Sequence, residues 1–146
     1  MPSTYLMSKE PSSFVLQHPC GLRVESNLRE SEALSANAVV PRDMHAGYAW
    51  YDLPEAEISG KRIRVSLCFF HQTLESISLS VVDAKYGAAW ADWSELKEQA
   101  RTEATRQWFE TVGYPVGTYS WGIVWAELDP RSGSGGGGIR FRRDAS

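Results

Sequence analysis

Two stretches near the middle of the chain alternate strictly between apolar and polar positions. In residues 62–70 (RIRVSLCFF), Ile63, Val65, Leu67 and Phe69 are apolar, and Arg62, Arg64, Ser66 and Cys68 fill the places between them. Residues 74–82 (LESISLSVV) repeat the period, with Ile77, Leu79 and Val81 set against Ser76, Ser78 and Ser80. Successive side chains of a strand point to opposite faces, so each stretch predicts a strand with one core face. Directly opposed residues of a hairpin share a face, so the two apolar sets must meet each other. A three-residue loop at His71, Gln72 and Thr73 achieves this, pairing Leu67 with Ile77, Val65 with Leu79 and Ile63 with Val81. A two-residue loop sets Leu67 against Ser76 and mixes the faces, and no Gly or Asn is present for a primed turn.

Residues 86–113 carry a longer period. Trp93, Leu96, Ala100, Ala104, Trp108 and Val112 recur at steps of three and four, which predicts an amphipathic helix over about 93–112 with this stripe on the sheet. Lys97, Glu98, Arg101, Thr102 and Arg106 are then expected to face water. Asp92 with Glu95 three residues on has the pattern of a capping box, with Ser94 the other candidate start. Gly113 followed by Pro115 marks the end.

The flanking segments are shorter. Residues 14–16 predict a first strand, closed by the turn residues His18, Pro19, Cys20 and Gly21. A short helix is expected over 27–35, capped by Asn27 with Glu30. Residues 47–53 are aromatic and strand-like, and Pro54 ends them. Residues 118–128 (TYSWGIVWAEL) predict a strand apolar on both faces and therefore central. Residues 129–138 read as a turn-rich loop and 139–142 as the last strand. Residues 1–13, with two prolines and four serines, read as a flexible tail. The sum is one α+β domain over 14–143: an antiparallel sheet of four to six strands with one long helix on one face.

Composition narrows the function classes. A chain of 146 residues fits a single domain. Its net charge of −3 argues against a nucleic-acid binder, which needs a basic face; the cluster Arg140, Arg142 and Arg143 reads as a solvated strand end. Cys20 and Cys68 form no disulfide framework, a single disulfide between them staying open, and they have no metal-ligand spacing. No basic segment precedes an apolar run at the N-terminus, and no apolar run is long enough to span a bilayer. A reduced, cytoplasmic protein without a membrane span is expected.

Candidate chemistry is sparse. Gly133, Gly135 and Gly138 fit G-x-G-x-x-G, but a strand follows where the dinucleotide fingerprint requires a helix. His18, His45 and His71 lie in turns and loops, and the spacing of Cys68 and His71 fixes no dyad. G-x-S-x-G and H-E-x-x-H are absent. No catalytic residue, cofactor or metal is therefore assigned. Tryptophan is the richest feature, enriched in cores and in binding hot spots alike. The binding candidates are Tyr86, Trp90, Trp121, Trp125, Glu127 and Asp129.

The serine-alternating hairpin, the run Trp90-x-x-Trp93-Ser94 opening a helix, and Trp121-Gly122-x-x-Trp125 before a Gly-rich turn resemble the pattern of a group of small uncharacterised bacterial proteins. The resemblance covers roughly residues 62–142 and implies the α+β layout, with no assigned activity. Small proteins of this type include immunity or accessory partners of toxins. The expectation is a non-catalytic bacterial binding protein acting through protein–protein contact. The alternative is a small-molecule binder or enzyme with a cleft lined by tryptophan and acids.

Overall fold

The computed structural model describes residues 11–36, 39–86, 93–129 and 134–142. Strands β1 (Val15–Gln17) and β2 (Arg23–Glu25) pair with each other, and a one-turn helix α1 (Glu30–Leu34) follows. The start of α1 is set not by Asn27 but by Arg29, whose backbone N–H donates to Glu32 Oε1 at 2.9 Å.

Three tight hairpins then build half of a sheet. β3 (Val40–His45) joins β4 (Tyr48–Asp52) through Ala46 and Gly47; β5 (Ala56–Ile58) joins β6 (Lys61–Phe70) through Ser59 and Gly60. β6 joins β7 (Thr73–Val81) through His71 and Gln72. Both loop residues have positive φ in every case: 52° and 88°, 51° and 84°, 49° and 72°. That is the primed turn whose twist matches the flanking strands. In the last hairpin it forms without Gly or Asn. The expected register is present, with Leu67 opposite Ile77, Val65 opposite Leu79 and Ile63 opposite Val81, but the loop has two residues, not three. Phe69 pairs with Leu74 and Cys68 with Ser76, so Glu75 is an extra residue in β7. This bulge restores the parity that a two-residue loop would otherwise break.

A 3-10 turn at Ala84–Tyr86 leads towards α2 (Glu95–Thr111), and β8 (Gly117–Tyr119), β9 (Gly122–Leu128) and β10 (Gly135–Phe141) complete the chain. The sheet has eight antiparallel strands in the order β3–β4–β6–β7–β10–β9–β8, with β5 also on β6. Four to six was an undercount. β5 and β8 are three residues each, β3 contains Pro41, and four of the seven residues of β10 are glycine, so none shows a hydrophobic alternation. Residues 135–138, expected as loop, are strand, and β10 lies between β7 and β9. β9 is second from the edge, and its Ile123 and Glu127 are exposed, so it is not covered on both faces.

One face of the sheet is the core. Ile63, Val65, Leu67, Phe69, Leu74, Ile77, Leu79 and Val81 are at most 2% exposed. Phe14, Leu16, Val24, Leu28 and Ala33 join the same cluster from the N-terminal segment, and α2 lies across β7, β10 and β9. Ser94 caps α2, its Oγ accepting from Lys97 N–H at 3.1 Å; Asp92 falls outside the described residues. At the other end Gly113 (φ 94°) lets the Tyr114 N–H reach Phe109 O at 2.8 Å and its own N–H reach Glu110 O at 3.2 Å. These two bonds satisfy carbonyls that the helix leaves open.

The face that α2 presents differs from the expected stripe. Glu98, Arg101, Thr105, Trp108 and Phe109 are buried, while Trp93 is 43% and Leu96 79% exposed and Ala100 also faces out. Glycines of β10 explain how polar residues fit beneath a helix. A Cβ at Gly135 would strike the Glu98 carbonyl and Thr102 Oγ1, and one at Gly137 would stand 2.8 Å from Phe109 and 3.1 Å from Thr105. The helix rests directly on the strand backbone.

Candidate functional site: the open face of the sheet

The alternation that puts Ile63, Val65 and Leu67 under the helical layer puts their neighbours on the opposite face, where Arg64 is exposed and Ser66 and Cys68 are buried among the side chains around them. Strand pairing arranges that face in rungs. Asp52, Ser66, Ser78, Gly138 and Trp125 form one rung across β4, β6, β7, β10 and β9. Trp50, Cys68, Ser76, Arg140 and Ile123 form a second. Arg64 pairs with Ser80 and Gly136 with Glu127 in a third, and a Cβ at Gly136 would stand 3.2 Å from Ser80 Cβ.

At the first and third rungs serines and glycines therefore make a floor along β7 and β10, with Arg64 on β6 and Trp125 and Glu127 on β9 as walls, and Arg140 rises from β10 at the second rung. Three strand spacings separate those walls, about 14 Å. The trough contains a cavity of about 240 Å³, lined chiefly by Arg64, Ser78, Ser80, Trp125, Glu127 and Asp129. The indole of Trp125 is seated on the floor: a Cβ at Gly138 would stand 2.7 Å from its Cζ2 and 2.9 Å from its Cε2. Only a residue without a side chain leaves it that room.

The β4–β6 side is closed by internal pairs. Ser66 Oγ donates to Asp52 Oδ1 at 2.6 Å, Arg42 Nε donates to the same oxygen at 3.0 Å, and the Arg42 guanidinium lies 5.0 Å from the Trp50 ring centre. Arg64 donates to Glu55 Oε2 at 2.9 Å and Arg62 to Oε1 at 3.3 Å. The Arg64 bond is the largest influence holding the Glu55 carboxyl below its usual pKa. Across the trough Glu127 is exposed and has no ion pair or side-chain hydrogen bond among the described residues.

Nucleophilic chemistry finds no support at Cys68. Burial raises its thiol pKa, against a smaller lowering by a hydrogen bond with Ser76, so the reactive thiolate is disfavoured. His71 occupies the β6–β7 turn, with its ring centre 4.2 Å from that of Phe70 and its backbone N–H donating to Gly47 O at 3.0 Å. His18 is buried with Nδ1 accepting from the Cys20 N–H at 3.0 Å. Among the described residues its Nε2 has no partner of hydrogen-bond geometry; burial lowers its pKa, and the nearby Pro54 carbonyl opposes this more weakly. Among the described residues no group of three or more His, Cys, Asp or Glu is placed to hold a metal ion, and no helix is long and apolar enough to cross a membrane.

Of the six candidates, Trp125, Glu127 and Asp129 line the same cavity. Tyr86 does not: it is buried beside α2, with its carbonyl accepting from Arg101 Nη2 at 3.0 Å. Trp121 lies in the β8–β9 turn, stacked on Tyr119 at 4.8 Å, with its indole N–H on Pro11 O at 2.9 Å. Trp90 falls outside the described residues. Arg64, Ser66, Ser78 and Ser80 were not among the candidates, although the serine alternation already placed them on one face.

No protein-family model matches the chain, and no curated protein or solved structure matches it.

Proposed function

We propose that the chain is a non-catalytic binding protein of the bacterial cytoplasm that acts through protein–protein contact, in an accessory or immunity role, with the open sheet face as its contact surface. The observation that carries this reading is the two-sidedness of the sheet. One face is packed under α2, α1 and the β1–β2 pair, whereas the other displays Trp50, Trp125 and Ile123 among charged and small residues with no described element over it. Aromatic residues set in a polar, serine-rich surround have the make-up of an interface centre and rim. The cavity, at about 240 Å³, is smaller than the ~300–1,000 Å³ usual for small-molecule sites, which favours a macromolecular partner.

The test is affinity capture from the native organism with the wild-type chain and with Trp50→Asp and Trp125→Asp as baits. A partner held by the wild type and lost by both variants supports the reading, provided both give wild-type circular dichroism. A partner retained by both, or no partner at all, overturns it.

A second reading, a small polar ligand in the cavity, draws on the convergence of Trp125, Glu127, Arg64 and the serine hydroxyls. Ligand-dependent quenching of tryptophan fluorescence across a metabolite panel would support it, and a silent panel would exclude it for those compounds.

A further inference from the structure

The two walls of the trough differ in their electrostatic state. Arg64, the cation among the described lining residues, is already engaged by Glu55, which also takes Arg62. On the opposite wall Trp125 and Glu127 come from neighbouring outward positions of β9, and the Glu127 carboxylate has no described partner. Ser80 and Gly136 lie between Arg64 and Glu127, so among the described residues no bulky side chain fills the gap. The cavity thus offers an indole, a carboxylate and the hydroxyls of Ser78 and Ser80, all open to one side.

The geometry points to a subsite for an arginine or lysine side chain of a protein partner at Trp125 and Glu127. This rests on the reading of the open face as a protein-contact surface. A guanidinium or ammonium group is attracted to the indole quadrupole and forms a charge-assisted bond to the carboxylate, and its alkyl stem matches the apolar part of the wall. Serine hydroxyls accept the remaining N–H bonds. At this subsite an acidic partner side chain would meet Glu127 as a like charge with Arg64 already taken, while the exposed Arg140 stands one rung away beside Ile123. The floor of Ser78, Ser80, Gly136 and Gly138 admits the partner's backbone as far as Arg140, which ends it at the next rung.

The probe is N-acetyl-arginine amide, titrated into the ¹⁵N-labelled full chain, with N-acetyl-citrulline amide as the uncharged isostere. Saturable shifts of the Trp125 indole N–H and the Gly136 amide with the arginine compound, weaker in high salt, are expected. Glu127→Gln should weaken that binding by about tenfold, the usual worth of one charge-assisted hydrogen bond. Equal responses to both compounds, or none at these two signals, would overturn the subsite. Comparing capture by Glu127→Gln and Trp50→Asp baits separates the two levels of the account. If Glu127→Gln keeps the partner and Trp50→Asp loses it, the basic-side-chain subsite fails and the open face stands. If both keep it, the contact surface itself is wrong.

Discussion

Glu98 and Arg101 form an ion pair of 3.2 Å beneath α2, with side chains only 9% and 10% exposed. Their other bonds tie three separate segments together. Glu98 Oε1 accepts from the Gly135 N–H at 2.8 Å, and the Arg101 guanidinium donates to Val81 O at 3.3 Å and Tyr86 O at 3.0 Å. The pair thus fastens the start of β10, the end of β7 and the turn after it to one turn of helix. Removing one partner leaves the other charged in the interior, so Arg101→Met is expected to cost about 3–5 kcal/mol. Joint replacement, Glu98→Gln with Arg101→Met, should cost less than the sum of the single changes. Urea denaturation of the full double-mutant cycle measures this coupling.

The glycines of β10 should respond unequally to alanine. Gly135→Ala drives a Cβ into the Glu98 carbonyl and Thr102, and Gly137→Ala drives one into the Trp125 carbonyl and against Phe109. Either should lose about 1–3 kcal/mol or more through overpacking. Gly136 faces the trough, where its nearest neighbour would be Ser80 Cβ at 3.2 Å, and its replacement should be the mildest of the three. Thermal melts of the three variants test the order.

Tyr51 should ionise late. Burial, then the 2.5 Å bond to Glu30 and the charge of that carboxylate, push its pKa up to about 12. Because the folded value exceeds that of the unfolded chain, the neutral phenol's contribution to stability is complete below about pH 10. It is lost as pH rises towards 12. Absorbance at the phenolate band should show a late-titrating tyrosine that is missing from Tyr51→Phe.

Leu96 and Trp108 lie on the same predicted stripe, yet their substitutions should differ widely. Leu96 is 79% exposed, so Leu96→Gln should change stability by less than about 0.5 kcal/mol. Trp108 is 2% exposed and its indole N–H reaches Ile58 O at 2.9 Å, so Trp108→Ala should cost about 3–5 kcal/mol. Chemical denaturation of both variants decides the matter.

That contrast shows what was legible in the sequence. The β6–β7 register could be derived, because alternating side chains constrain which residues oppose each other. The turn could not, since His71 and Gln72 lack the usual residues of a primed turn and the bulge at Glu75 leaves the same parity as a three-residue loop. The helix face was misread because Glu98 and Arg101 look solvent-bound until their partners on Gly135, Val81 and Tyr86 are known, and those lie 15 to 37 residues away in sequence. β10 was hidden for a related reason. A run of glycines carries no side-chain pattern, and its value as a strand lies in the helix that rests on it. The site was half visible: Trp125 and Glu127 stood out by type, while Ser66, Ser78 and Ser80 gain meaning only from the strand order that brings them beside Gly136 and Gly138.

Hydroxyl-radical footprinting of the chain, alone and with its captured partner, tests the central claim most directly. Trp50, Trp125 and Ile123 on the open face should lose reactivity in the complex, while Leu96 on the outer face of α2 keeps it. Protection of Leu96 with Trp50 and Trp125 unchanged would contradict the account and move the contact surface to the helix.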